Sequence, residues 1–350
     1  MSTPRIDKLD RNLIINGGMD FWQRGTSFVI AANPAAYTAD RFILNGAGTG
    51  TRTVTRSTTV PNSKSNYSWQ SVVGTAQPSL SAGHYEALNT RLEGQFIREL
   101  YGSTFTVSFW VRSSLAGKYY VSLQNGAQTR CILKGYTINT ANTWEYKSIL
   151  VTHEGAGANW VQDNTNGMFV WFCLASGSGN QNGTVDSWFA GAAQSGTDQV
   201  NFMATAANQF NITAIKIVLG DTSLSTLDYI YAGRNLIDEL RLCKRYYEKS
   251  YAIDTPPGTV TNAGKFSVVS VSANRPYLSI PFKVEKRVVP TVSVYNPATG
   301  ALGNMRNEAG TDSGASIDAG NRGTNQFDVF QNSNFNAQGA YGHWVADAEL

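Results

Sequence analysis

Five carboxylates, Glu86, Glu93, Glu154, Asp163 and Asp186, fall at strand ends or in loops, where acidic side chains could face one another across a cleft. Glycosidic hydrolysis needs such a pair and no local motif. The plainer reading is solvated surface carboxylates. Other catalytic patterns are missing. His84, His153 and His343 are far apart, and the chain has neither an HExxH nor a GxSxG sequence. The run GAGTG at 46–50 lies between strands and opens no helix, as a dinucleotide loop must. From Gly258 to Gly264-Lys265-Phe266 the spacing is one residue too long for a phosphate loop, and Phe266 stands where a hydroxyl is needed.

Aromatic side chains are the better lead, because flat rings stack on sugar faces while amides and guanidinium groups supply hydrogen bonds. Trp110 sits on the polar side of its strand beside Ser108 and Arg112, and Trp69, Tyr85, Trp160 and Trp188 lie near turn-rich stretches. Trp69, Tyr85, Trp110, Arg112, Trp160 and Trp188 are therefore the candidate glycan-binding residues. For any single tryptophan the competing reading is a plug in the core or a subunit interface. Trp22, Trp144 and Trp171 read as core, and Phe172 beside Trp171 suggests a strand buried on both faces.

Elements must position these rings, and composition limits which elements. The 350 residues are 42% hydrophobic and 15% charged, so the surface relies on Ser, Thr, Asn, Gln and Gly. A net charge of +3 without a basic run is too small to argue for nucleic-acid binding by counterion release, and no apolar run is long enough to span a membrane. MSTPRIDKLD has no apolar core, so no secretory signal is expected. Cys131, Cys173 and Cys243 are odd in number and widely spaced, which argues against a disulfide framework or a zinc site.

The segments recur at the spacing of an all-β sandwich. In FTVSFWVRS, residues 105–113, Phe105, Val107, Phe109 and Val111 alternate with polar partners, predicting a half-buried strand. Asn125-Gly126 predicts a hairpin. Residues 13–15 predict a short strand before the turn Asn16-Gly17-Gly18, and 83–92 a strand or short helix. Residues 176–183 and 190–198 are expected as exposed loops, and 303–324 as a long mobile one. One long helix stands out, at 234–251: Leu236, Leu240, Cys243 and Tyr247 form an apolar stripe widened by Ile237 and Tyr251. Asn235 is placed to cap it, and its charges run from acidic to basic. Five strands are expected after it.

NLIINGGMDFWQRGTSF (12–28) followed by TADRF (38–42) resembles the start of a group of tailed-bacteriophage virion proteins, the tail fibre or minor structural proteins with a carbohydrate-binding-module-like jelly-roll domain. FTVSFWVRS, TWEY (143–146) and FNITAIKIVLGD (210–221) resemble its inner strands. ELRLCKRYYEKSY (239–251) resembles the signature that follows the jelly roll. PFKVEKRVVPTVSVYNPATG (281–300) and YGHWVADAEL (341–350) resemble the C-terminal β-domain.

The resemblance implies an all-β chain in four parts: an N-terminal arm (1–11), a jelly-roll β-sandwich (12–233), a linking helix (234–254) and a smaller C-terminal β-domain (255–350). It implies a non-enzymatic virion protein, assembled in the host bacterial cytoplasm and exposed on the released particle. The expected partners are other virion proteins, further copies of the chain (a trimer) and a host surface glycan, with no nucleic acid and no membrane insertion. The polar arm, with Arg5, Lys8 and Leu9, would attach it to the particle. Related modules carry a structural calcium, for which Asp20 and Asp221 are the counterparts; no other cofactor is implied. The alternatives are an architectural capsid-decoration, head-fibre, collar or baseplate subunit, and a depolymerase of capsule polysaccharide.

Overall fold

Strand alternation governs most of the chain. The computed structural model describes residues 11–62, 64–155, 157, 160–221, 234–269, 277–312, 317–331 and 339–350. The arm residues Arg5, Lys8 and Leu9 lie outside them. The fold is all-β, in two compact units. One comprises the chain up to Asp20, Thr26–Glu239 and Leu350; the other comprises Phe21–Gly25 and Leu240–Glu349. The division thus falls inside the helical stretch, not on either side of it.

The first unit is a jelly-roll sandwich of two antiparallel sheets. Its strands are β1 (Ser27–Ile30), β2 (Ala35–Tyr37), β3 (Phe42–Ala47), β4 (Arg52–Ser57), β5 (Ser68–Val73), β6 (Tyr85–Glu93), β7 (Thr104–Ser113), β8 (Gly117–Asn125), β9 (Arg130–Ile138), β10 (Glu145–Thr152), β11 (Asn166–Ser176), β12 (Phe189–Ala190) and β13 (Gln209–Leu219). A six-stranded sheet runs β1-β4-β5-β13-β7-β10 and a seven-stranded sheet runs β12-β9-β8-β11-β6-β3-β2. As expected, Phe105, Val107, Phe109 and Val111 are fully buried, and β8 and β9 form the Asn125-Gly126 hairpin. From the other sheet, Leu44, Leu88 and Phe172 are equally buried, with Phe109 and Phe172 meeting edge to face at 5.1 Å. Each such side chain stabilises the sandwich by about 1.5–3 kcal/mol over an exposed one.

An ion pair is among the polar bonds that cross this core. Arg52 of the six-stranded sheet is ion-paired with Glu86 of the seven-stranded sheet, and both side chains are buried. Arg52 Nη1 also donates to the carbonyl of Ala31 at 2.7 Å. Burial pushes the Glu86 carboxyl up to about 7, against the pull of Arg52.

One local expectation needs correction. Leu13, Ile14 and Ile15 are buried but form no strand. Asn12 ties this stretch down instead, accepting from Ile14 N (2.9 Å) and Ile217 N (3.0 Å) and donating to Ile215 O (3.1 Å). The bends take positive φ at Asn16 and Met19, whereas Gly17 is needed for close approach: a Cβ there would lie 2.1 Å from the Ile215 carbonyl oxygen. For residues 83–92 the strand alternative holds: β6 covers Tyr85–Glu93, and a four-residue helix, α1 (Gly94–Ile97), follows it.

The long helix is also shorter than its apolar stripe predicts. Helix α2 spans Leu236–Lys244, and Tyr247–Lys249 is already strand β14. Asn235 caps it as expected, accepting from Ile237 N (2.9 Å) and Asp238 N (3.0 Å). Leu236 and Ile237 are 44% and 67% exposed, whereas Glu239 is fully buried, because its carboxylate accepts from Arg234 Nε at 2.7 Å and from the backbone of Asn16 at 2.5 Å. A buried salt link, not a continuous apolar face, holds the first turn.

In the second unit, β21 (Gly339–Asp347) pairs with β14, β15 (Phe266–Val269), β17 (Thr291–Tyr295) and β18 (Arg306–Asn307). A separate sheet joins β16 (Tyr277–Pro281), β20 (Gln326–Gln331) and β19 (Ile317–Gly320). The stretch expected as one loop, 303–324, therefore carries two strands. Phe327, Trp344, Val294 and Met305 make the core. Lys286, buried with Glu248, donates to its carboxylate at 2.6 Å and to the carbonyls of Lys244 and Val284. Cys131, Cys173 and Cys243 are buried free thiols.

Because Glu86 is raised, the folded state takes up a proton that the unfolded chain releases between the ordinary 4.5 and about 7. Its contribution is full below that window and lost as pH rises through it. Urea unfolding of the wild type and Glu86→Gln at pH 4.5 and 7.5 should show the wild type losing roughly 3 kcal/mol relative to the variant across the window.

Candidate functional site

The two faces of the seven-stranded sheet differ in what alternation presents to them. Leu88, Thr90 and Leu92 of β6 and Val170, Phe172 and Leu174 of β11 turn inward. The intervening residues, Tyr85, Ala87, Asn89 and Arg91 on β6 and Phe169, Trp171 and Cys173 on β11, form the outer face. Their registers put Phe169 opposite Arg91 and Trp171 opposite Asn89.

Part of that outer face is covered. Tyr120, Cys131, Leu133 and Cys173 pack with Ala193, Val185 and Phe189 of the long connection after β11. Polar ties fasten this cover: the carbonyl of Ala193 accepts from Ser122 Oγ (2.7 Å) and Gln124 Nε2 (2.8 Å). Gln194 N donates to the carbonyl of Asn180 at 2.7 Å. The segments expected as exposed loops, 176–183 and 190–198, are thus half buried and build a wall.

The uncovered part is a groove with a cavity of about 350 Å³. Tyr85, Phe169 and Trp171 form its aromatic lining; Phe169 stacks on Trp171 at 5.4 Å and 25°, and Tyr85 meets Trp171 edge-on at 6.4 Å. Asn45, Arg91, Gln128, Asn180 and Gln194 supply polar groups. Three buried polar atoms of the lining residues have no hydrogen-bond partner among the described residues: Trp171 Nε1, Arg91 Nε and Gln194 Oε1. Nor does Asn89 Oδ1, on the fully buried residue opposite Trp171. Trp171 is 4% and Gln194 7% exposed. Leaving such groups unpaired costs about 1–3 kcal/mol each, so two donors and an acceptor on the lining of one cavity fit a ligand that supplies their partners. Asn89 is itself oriented by donating to Asn45 Oδ1 (2.6 Å) and the Ile43 carbonyl (3.4 Å).

The residues proposed from sequence scatter over the first unit. Tyr85 alone lines the groove. Trp69 is fully buried in the core, donating from Nε1 to Thr38 Oγ1 at 3.0 Å, and presents no face to a sugar. Trp160, also buried, packs with Trp188 (5.5 Å, 87°) and with His153 (4.3 Å). Its Nε1 donates to Glu154, which pairs with Arg130, while Trp188 Nε1 donates to the Thr152 carbonyl. Burial lowers His153 to about 4, so the imidazole is neutral. Trp110 lies half-buried beside Tyr146 on the six-stranded sheet, and Arg112 donates to the Asn142 carbonyl (3.0 Å), Asn142 Oδ1 and Asn211 Oδ1.

The acidic candidates do not converge either. Glu86 is in the core, Glu93 is buried and accepts from Gln95, Asp163 accepts from Thr165, and Asp186 pairs with Lys134 at 2.8 Å. Asp20 accepts from Asn66 at 2.9 Å, and burial raises its carboxyl. Among the described residues, no group of three or more His, Cys, Asp or Glu could hold a metal ion.

A larger cavity, about 600 Å³, lies in the second unit. Its cation, Arg24, is already paired with Asp347 (3.0 Å) and Glu349 (3.4 Å) and lies 3.6 Å over Tyr247. Size favours that cavity, but its charges satisfy one another. The smaller groove has the unspent polar chemistry, and that decides between them.

The solved structures that the chain is similar to include the enzymatically active domain of tailspike protein 4 of bacteriophage CBA120. Their identity is 13% and the TM-score 0.34, over 60% of this chain and 21% of that one. Another is TmCBM61 in complex with β-1,4-galactotriose, at 9% identity and TM-score 0.30 over 60% and 99% of the two chains. A third is the C-terminal family 22 carbohydrate-binding module of Clostridium thermocellum Xyn10B, at 14% and 0.31 over 55% and 99%. The chain spans about a fifth of the tailspike structure's length. No protein-family model matches it, and no curated protein does.

Since Trp171 Nε1 has no partner, Trp171→Phe removes no hydrogen bond. Urea unfolding should show it costing about 1 kcal/mol or less. Trp69→Phe, which breaks a core hydrogen bond and leaves a void, should cost roughly 2–4 kcal/mol.

Proposed function

We propose that the first unit binds an oligosaccharide in the groove over Tyr85, Phe169 and Trp171, and that the chain is a non-enzymatic component of a tailed-phage virion that contacts host surface glycans. The observation that carries the binding reading is the combination of aromatic rings with the unpartnered Trp171 Nε1 and Gln194 Oε1 on the groove's lining. A pyranose has an apolar face to lay on a ring and hydroxyls that donate and accept in plane, which matches that mixture. No carboxylate lines the groove, which favours binding over glycosidic hydrolysis. The virion setting rests on the resemblance of the segments at 12–28, 38–42, 105–113, 210–221 and 239–251 to phage structural proteins, and the trimer belongs to the same reading.

The architectural alternative has one observation in its favour. Val29 on edge strand β1 is 87% exposed and Leu150 on edge strand β10 is 43% exposed, so both margins of the six-stranded sheet offer apolar side chains to a neighbouring subunit.

Titration calorimetry against a panel of soluble host-surface oligosaccharides tests the leading reading. At least one ligand should bind with enthalpy, without release of reducing ends. Trp171→Ala and Tyr85→Ala should each weaken it by about tenfold or more, roughly 1.4 kcal/mol, while Trp110→Ala leaves it unchanged. Loss of binding in Trp110→Ala alone would move the site to the other sheet.

A further inference from the structure

The neutral groups of the groove narrow the class of sugar. Its one cation, Arg91, already donates from Nη1 to an oxygen of Leu350, the last residue of the chain, and no other charged residue lines the groove. On the neutral lining residues, folding leaves one donor, Trp171 Nε1, and one acceptor, Gln194 Oε1, without a partner among the described residues. The two belong to different walls. Trp171 stands on the outer face of β11, whereas Gln194 is in the connection that covers part of that face. They are nevertheless held near each other. Ala193, next to Gln194, has its carbonyl pinned by Ser122 Oγ (2.7 Å) and Gln124 Nε2 (2.8 Å), and Ser122 is the register partner of Trp171 on β8. Both side chains are recessed, and the exposed Ala192 adds a methyl group to the same lining.

We infer that the groove selects a sugar carrying an acetamido group, whose N–H donates to Gln194 Oε1 and whose carbonyl accepts from Trp171 Nε1; this rests on the groove being the binding site proposed above. In a trans secondary amide the N–H and C=O are coplanar and point to opposite sides, so one substituent can bridge the sheet and its cover. The arm also projects beyond the sugar ring, toward atoms that are recessed, and its methyl suits Ala192. A ring hydroxyl carries donor and acceptor on one oxygen held close to the ring. It leaves at least one of the two recessed atoms unpaired, and an unmade buried hydrogen bond is costly. Sites built around buried polar groups discriminate strongly against an analogue that lacks their partners. An ammonium in place of the acetamide would offer Trp171 Nε1 no acceptor, and no acidic side chain lines the groove to meet it.

The test is titration calorimetry of the full chain with soluble 2-acetamido-hexose oligosaccharides, their 2-hydroxy counterparts and their deacetylated 2-amino counterparts. Trp171→Phe, which keeps a ring and loses the N–H, is measured alongside Gln194→Leu and Trp171→Ala, each shown by its melting curve to be folded. The wild type should bind acetamido members about tenfold or more tighter than either of the other sets. Trp171→Phe and Gln194→Leu should each lose most of that preference while binding the 2-hydroxy members as the wild type does. Equal affinity for acetamido and 2-hydroxy members, or a preference that persists in either variant, would overturn the acetamide inference and leave the groove standing. Tightest binding to the 2-amino members would overturn it as well. No binding to any member, or binding untouched by Trp171→Ala, would overturn the groove itself and this inference with it.

Discussion

Strand alternation is the constraint on which the first unit depends, even where, as on β11, both faces are buried. Phe172 and Val170 must face the core, so Trp171 and Phe169 must face out, and the register Trp171–Asn89 places an amide beside the indole. A slip of one residue would reverse every side chain on the strand and put Arg91 and Asn89 in the core. The groove's composition is thus the complement of the core's composition, set by the same ladders. What turns an outer sheet face into a site is the cover: the connection after β11 buries Tyr120, Leu133 and Cys173 and stops short of Tyr85 and Trp171.

The sandwich tolerates an ion pair inside this arrangement. Arg52 and Glu86 give up hydration that their attraction only partly restores, so hydrophobic burial around them, not the pair, accounts for most of the stability. The pair's consequence is geometric. It joins β4 to β6 across the core, and Tyr85 of the groove is the neighbour of Glu86 on β6. Tyr85 thus stands next in the chain to a buried polar contact that anchors β6 to the opposite sheet.

Much of the fold was legible because alternation is a local signal. FTVSFWVRS announces β7 through four apolar residues at even spacing, and Asn125-Gly126 announces its hairpin. Where longer-range partners decide, the local signal misleads. Residues 13–15 look like a strand, yet Asn12 side-chain bonds to Ile215 and Ile217 hold them in an irregular path. Leu236 and Ile237 look like the buried face of a helix, yet the face that is buried carries Glu239, whose partner Arg234 is five residues away. The site was less legible still. Tyr85, a candidate from sequence, lines the proposed groove, but Trp171 reads as core from its apolar neighbours and is indeed almost fully buried. Its place in the proposed site follows from a missing partner for Nε1, which only tertiary structure reveals. Phe169 and Arg91, each two residues from a groove neighbour on its own strand, could have been found by following the outward alternation of β6 and β11 as carefully as the inward one. Trp69 and Trp160 fail for the opposite reason: turn-rich flanks suggested exposure, but their indole N–H groups are committed to Thr38 and Glu154.

The proposed site is the groove where unpartnered polar atoms coincide with aromatic rings and a cavity. A crystal structure of the chain with the tightest-binding oligosaccharide is the decisive measurement. A sugar ring should lie on the Tyr85–Trp171 aromatic floor, with a sugar oxygen about 2.8–3.2 Å from Trp171 Nε1 and partners supplied to Gln194 Oε1 and, through the strand behind the groove, Asn89 Oδ1. A sugar bound on the Trp110–Tyr146 face or in the second unit, with those three atoms still unpaired, would contradict it.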